Sequence, residues 1–237
     1  MLIDIDIKAL EVVTAAVLSQ DKILCQEIRD DIDIHEVNRL TFGLPDRLIA
    51  KTFKFRILYG GTEWGFAKDP DFQGVSTKKS FWAKVIEDYY EKYSGIRIWH
   101  NKLIQEAVST GQIISPTGRH FSYARRVNKI GELEWPIQAI KNYIVQGTGA
   151  DLVMIGRITI RNRLIAAGLK AKLIMTVHDS IVVDCPKEEV DIVAKICLSA
   201  IQDIPKNFEI IYKIPFDLKL TAKIVYGLNL KEIAAWN

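Results

Sequence analysis

The chain has 237 residues, of which 49% are hydrophobic and 26% charged, and its formal net charge is +3. Such a composition excludes a disordered, collagenous or disulfide-framework protein and leaves room for one large domain or two lobes, each with a core. A charge so close to neutral neither demands nor excludes a polyanion partner, because that kind of site needs local clustering of Lys and Arg.

Cys25, Cys185 and Cys197 are odd in number and lack the spacing of a zinc site or a disulfide framework, so free thiols in a reducing compartment are expected. Met1 leads straight into an acidic strand with no signal-peptide pattern, and no apolar run approaches membrane-spanning length. The expectation is an intracellular protein with no membrane partner.

Residues 2–8 alternate strictly, with Ile3, Ile5 and Ile7 on one face and Asp4 and Asp6 on the other. Two carboxylates on a strand otherwise fit for burial are costly unless a cation or solvent compensates them. Residues 9–28 have helical spacing, as one helix or two short ones, with Glu11 early in the run. An acidic turn at 30–35 offers Asp33 as N-cap of a helix over 34–42, and a break at 43–46 offers Asp46 as the next cap.

The helix expected over 47–59 carries Arg47, Lys51, Phe55 and Tyr59 at every fourth residue, and Gly60 and Gly61 end it. Cations near a helix N-terminus oppose the helix dipole. A bound anion such as a triphosphate explains their presence there, with the aromatic pair left to carry a base and sugar. A solvated cationic edge beside a core-facing aromatic stripe is the plain alternative.

Residues 63–74 read as a loop, 77–93 as an amphipathic helix ended by Ser94 and Gly95, and 96–111 as another helix. A hairpin is expected over 112–123, with Arg119, His120, Arg125 and Arg126 adding positive charge near it. From Ile137 the spacing is helical again, with an interruption at Gly147, Thr148 and Gly149. Asn142 and Gln146, one turn apart, have amides suited to reading a base edge or to capping that interruption.

A second hairpin is expected over 172–185, with His178, Asp179 and Ser180 at its tip, then a helix over 187–204 and one or two strands within 208–225. If that tip pairs beside the first strand, Asp6 and Asp179 become two carboxylates from distant parts of the chain that converge on a divalent metal. Hard oxygen ligands favour magnesium or manganese.

Together these residues resemble the DNA polymerase I family, family A. Asp6 with Glu11 five places on is similar to its first motif, and Arg47, Lys51, Phe55, Tyr59 and Gly60 match the fingers-helix motif. Val177, His178 and Asp179 match the third motif, and Asn142 and Gln146 precede a similar stretch over 147–151. The resemblance implies an α+β fold: an antiparallel palm sheet with flanking helices plus a mostly helical fingers subdomain, the right-hand polymerase core without its thumb. Palm would cover 1–32 and 135–237, and fingers 33–134.

The resemblance also implies template-directed DNA synthesis by two-metal nucleotidyl transfer. Asp6 and Asp179, with the backbone carbonyl of Ile7, would hold two Mg2+ ions, Mn2+ being the substitute. Arg47 and Lys51 would grip the β- and γ-phosphates of a dNTP, His35 more weakly, and Lys51 would protonate pyrophosphate. Glu11, near Tyr59, would exclude a ribose 2'-hydroxyl, while Phe55 would sense the sugar's 3' position and Tyr59 cover the templating step. Asn142 and Gln146 would read the minor-groove edge of the primer-template DNA, and His178 would steady the primer terminus.

Ser180 stands where many family members carry a third carboxylate, and Gln138 where many carry Arg. With no thumb, the chain is expected to be either one part of a split enzyme, completed by a separate polypeptide that supplies the thumb and an exonuclease, or a truncated piece of a longer one, in a bacterial cytoplasm or a phage-infected cell. A non-catalytic nucleic-acid-binding subunit of a polymerase complex is the alternative. A two-metal nuclease would share Asp6 and Asp179 but has no use for the 47–59 pattern.

Overall fold

The computed structural model describes residues 1–128 and 130–236. The first elements are β1 (Leu2–Ile7), α1 (Leu10–Ser19), α2 (Lys22–Arg29), α3 (Ile34–Thr41), α4 (Arg47–Leu58), α5 (Glu63–Lys68), α6 (Lys79–Lys92) and α7 (Ser94–Thr110). Two short hairpins follow, β2 (Gln112–Ile114) with β3 (His120–Ser122), and β4 (Arg126–Val127) with β5 (Leu133–Glu134). The rest is α8 (Ile137–Ala166), β6 (Lys172–Val177), β7 (Ser180–Asp184), α9 (Val190–Gln202), α10 (Ile204–Tyr212), β8 (Ala222–Gly227) and β9 (Ile233–Ala235). This is the α+β class expected. Among the described residues no helix is long and apolar enough to cross a membrane.

The chain divides into two compact units, one formed by residues 1–14 with 147–237 and the other by 15–146, the divisions falling within α1 and α8. The first unit is built on an antiparallel sheet of order β6-β7-β1-β8-β9. The alternation of β1 does what its pattern predicts: Ile3, Ile5 and Ile7 are at most 1% exposed, and α9 packs on β1 and β8 with Val193, Ala194, Cys197 and Ile201 buried. α8 approaches this layer closely, since a Cβ on Gly156 would lie 3.1 Å from the Cδ1 atoms of Ile201 and Ile204.

Two expectations for this unit are corrected. No break occurs at 147–149: α8 runs through both glycines, because burying Thr148, Leu152 and Val153, all at most 3% exposed, outweighs a propensity cost of about 1 kcal/mol per glycine. Residues 208–212 are helix and not strand. Pro205 sits in the first turn of α10, and Phe208 packs its ring 5.0 Å from Tyr212 and 5.6 Å from Phe216.

The second unit has an aromatic core. Phe53 of α4 lies within 6.1 Å, centroid to centroid, of Phe42, Phe66, Trp82 and Tyr89. That core corrects the reading of 63–74 as loop. Thr62 accepts a hydrogen bond from Gly65 N at 3.1 Å and starts α5, and a 3₁₀ turn follows over Pro70–Phe72, so that Phe66 and Phe72 both reach the interior. Ser94 and Gly95 open α7 and do not merely close α6. The buried carboxylate of Asp21 accepts from Gly95 N at 2.7 Å and Ile96 N at 3.3 Å, and a Cβ on Gly95 would lie 2.7 Å from Asp21 Cα. All three cysteines are buried free thiols.

Candidate functional site

In the first unit the backbone segments that carry Asp6 and Asp179 come from distant parts of the chain and lie side by side. β1 pairs antiparallel with β7, so that Asp6 lies directly opposite Ser180, the residue after Asp179. Ile7 N donates to the carbonyl oxygen of Asp179 at 3.1 Å. The tip of the β6–β7 hairpin therefore continues the β1 ladder, with Asp6 exposed and Asp179 half-buried.

The turn is only two residues long, and its first residue, His178, takes φ +53°. Tight hairpin turns need positive φ at that position, where His is better tolerated than β-branched residues but Gly is easier still. Keeping a side chain there stores backbone strain beside the acidic pair.

Ser180 Oγ donates to the carboxylate of Asp4, so this hydroxyl is tied to the other acid of β1. Among the described residues no three His, Cys, Asp or Glu side chains cluster as a metal cage. Two carboxylates and a strand carbonyl nevertheless fit magnesium, which commonly takes one or two carboxylates and draws its remaining ligands from water and phosphate. Glu11 sits half-buried in the first turn of α1.

In the second unit Arg47, Lys51 and Phe55 lie on α4 as expected, and Tyr59 is its C-cap. Asp46 caps the helix by accepting from Ile49 N at 2.8 Å, and Asp33 caps α3 by accepting from His35 N and Glu36 N at 3.2 Å. The Asp33 cap also receives Arg47 Nε at 2.7 Å, and this hydrogen bond lowers the Asp33 pKa. α3 and the start of α4 are thus joined through the arginine predicted to meet phosphate.

Lys51 is exposed, its Nζ 6.0 Å from the centroid of Phe55, and His35 stacks obliquely on Phe55 at 6.2 Å. Burial, with the charges of Lys54 and Arg47, lowers the His35 pKa to about 4. At neutral pH this imidazole offers a hydrogen bond to an anion and not a charge.

At the other end of α4, Tyr59 Oη accepts from Gln146 Nε2 at 2.6 Å, so two residues singled out separately in the sequence touch. Gly60, at φ +81°, faces α8 so closely that a Cβ would lie 3.1 Å from Lys141 Cδ and 3.2 Å from Gln138 Cα. Asn142, one turn before Gln146, is half-buried, and its Oδ1 has no hydrogen-bond partner among the described residues. A cleft of about 270 Å³ opens beside Tyr59, Gly61, Thr62 and Gln138.

Sequence reasoning missed what lies behind α4. Lys54 is fully buried, and its Nζ has no hydrogen-bond partner among the described residues. Desolvation lowers its pKa to about 7 against the pull of Glu27. Nearby, Lys92 pairs with Glu27 at 2.7 Å, and Tyr93 Oη donates to Glu27 at 2.7 Å and lies 2.8 Å from the Asn38 side-chain amide. One signal was available: Lys54 falls in the stripe of Ala50, Phe53, Ile57 and Leu58, all buried.

The comparisons with known proteins agree with one another. The family described as DNA polymerase family A matches residues 1–232. DNA polymerase I of Lactococcus lactis subsp. lactis is 29% identical over 204 residues, which span 81% of this chain and 22% of the relative. DNA polymerase I of Caldicellulosiruptor bescii is 26% identical, covering 98% and 27% respectively, and the DNA polymerase of Bacillus phage SP01 is 28% identical, covering 85% and 23%. The chain thus spans about a quarter of the length of these relatives. The fold is similar to the POL domain of Pol1 from M. smegmatis, solved in complex with DNA primer-template and dNTP: TM-score 0.78 at 20% identity, covering 95% of this chain and 39% of that one.

Proposed function

Because the chain belongs to DNA polymerase family A, we propose that it is the palm and fingers portion of a template-directed DNA polymerase that extends a primer 3'-hydroxyl with deoxynucleotides. The observation that carries this reading is the junction of β1 with the β6–β7 tip, where Ile7 N meets the Asp179 carbonyl at 3.1 Å and Asp6 faces Ser180. We assign 1–32 and 135–237 to the palm and 33–134 to the fingers.

Asp6, Asp179 and the Ile7 carbonyl would hold two magnesium ions, or manganese in their place. When bound, these metals would activate the primer hydroxyl and neutralise charge on the triphosphate. Arg47 and Lys51 bind the β- and γ-phosphates, and Lys51 delivers a proton to the departing pyrophosphate. Neutral His35 donates an N–H hydrogen bond to the same phosphates and steadies Phe55, which sits under the sugar's 3' position.

Glu11 excludes the ribose 2'-hydroxyl by occupying the space it would need. Tyr59, held by Gln146, covers the templating step. Gln146 and Asn142 present amides to the minor-groove edge, which shows acceptors in every base pair. His178 steadies the primer terminus.

A separate polypeptide supplying a thumb and an exonuclease belongs to the same reading. What supports it is β6, a sheet edge that leaves Ile174, Met175 and Val177 more than 40% exposed, because an apolar edge strand is a template for another chain.

The test is extension of a labelled primer on a template by the purified chain with four dNTPs and Mg2+ or Mn2+, alone and with extract from its source. Extension that Asp179→Ala abolishes, with DNA binding retained, is the expected result. A non-catalytic nucleic-acid-binding subunit would bind DNA and extend nothing in either setting. Extension that survives Asp179→Ala would refute the carboxylate assignment.

A further inference from the structure

Asp6 has a second cross-strand neighbour. On β7 it faces Ser180, and on β8 it faces Lys223. Directly opposed residues of antiparallel strands project to the same side of the sheet, their Cβ atoms about 4.5–5.5 Å apart. The ladder confirms the register: Lys8 N donates to the Thr221 carbonyl at 2.9 Å, which puts Asp6 and Lys223, two residues along, at a hydrogen-bonded position of the β1–β8 pair.

The alternate face is closed to a charge, since Ile5 and its partners Ile181 and Ile224 are at most 4% exposed. Lys223 is exposed and shares its side of the sheet with Asp4, Asp6 and Ser180. The hydroxyl of Ser180 is bonded to Asp4, so the third polar group in this row is aimed along β1.

We propose that Lys223 sets how tightly the Asp6 and Asp179 pair holds a divalent cation. Lys223 stands across the strand pair from Asp6, so its charge opposes entry of a bare metal ion and is outweighed when the cation arrives with the negative charge of a nucleoside triphosphate. This rests on the reading of Asp6 and Asp179 as the metal-holding pair. Two carboxylates with a lysine beside them carry about half the charge of the pair alone, and Coulomb repulsion between an ammonium and a divalent ion survives partial solvent screening at such range. The metal and the triphosphate therefore favour each other's binding, and by linkage the coupling is reciprocal.

The experiment titrates the purified chain with Mn2+ and follows free and bound metal by electron paramagnetic resonance, with and without a dNTP. Wild type, Lys223→Arg, Lys223→Gln, Lys223→Glu and Asp179→Ala are compared at low and high salt. Lys223→Gln is expected to bind Mn2+ roughly threefold to tenfold more tightly without nucleotide, and Lys223→Glu more tightly still, both gains shrinking in high salt. Lys223→Arg should match wild type.

The advantage that dNTP confers on Mn2+ binding should fall by a similar factor in Lys223→Gln. Unchanged Mn2+ affinity in both Lys223→Gln and Lys223→Glu overturns this inference alone, provided Asp179→Ala weakens binding. If Asp179→Ala leaves Mn2+ binding intact, the underlying assignment of the carboxylates fails.

Discussion

At the scale of single residues, chemistry here is set by what stands beside each group. Phe55 has Lys51 Nζ 6.0 Å from its ring centroid and the His35 ring at 6.2 Å. Phe55→Tyr should ease incorporation of nucleotides lacking a 3'-hydroxyl, because the added phenol supplies the missing hydrogen-bonding group. Competition between terminators and dNTPs in primer extension reads this directly, and an unchanged ratio counts against the contact. Glu11→Ala should weaken ribonucleotide exclusion, seen as a smaller preference for dNTPs over NTPs. Lys54 is a buried base whose pKa is lowered to about 7. Between about pH 7 and its ordinary value of 10.5 the unfolded chain holds a proton there that the folded chain does not, so stability rises with pH across that window. Lys54→Met should therefore raise the melting temperature at pH 7.5, with a gain that shrinks toward pH 10, as calorimetry at several pH values would show.

At the scale of elements, α4 is fastened at both ends. Its N-terminus depends on Asp46, whose carboxylate accepts from Ile49 N, and Asp46→Ala should cost about 1 kcal/mol in denaturant unfolding. Its C-terminus depends on Gly60, whose positive φ and close contact with Gln138 and Lys141 leave no room for a side chain. Behind that end, Tyr90 Oη joins Lys141 Nζ at 3.3 Å and His100 Nδ1 at 3.0 Å, a partly buried polar link that ties α6 and α7 to the first turns of α8. Local sequence announces the caps because Asp accepts from the first free amides of a helix wherever it occurs. It cannot announce the Gly60 contact, since the partners lie far along the chain.

At the scale of the whole molecule, acid sensitivity follows from two histidines kept neutral by burial, His35 at about 4 and His100 at about 3. Unfolding brings both back toward their ordinary value of 6.5, so the unfolded state binds more protons below that pH and stability falls as the pH drops from about 6.5 toward 4. Denaturant midpoints measured across that range should decline, and His100→Gln should flatten the decline. What the sequence determined by itself were periodicities and caps: the alternation that puts Asp6 on a polar face, the four-residue spacing on α4, and the hairpin that ends in Asp179. These are legible because backbone geometry repeats every two or 3.6 residues and needs no partner to do so. Tertiary structure alone decided that 63–74 coils into the aromatic core, that α8 passes through its glycines, and that Lys223 faces Asp6. Each depends on which surfaces meet across long stretches of chain, where burial and strand register override local preference.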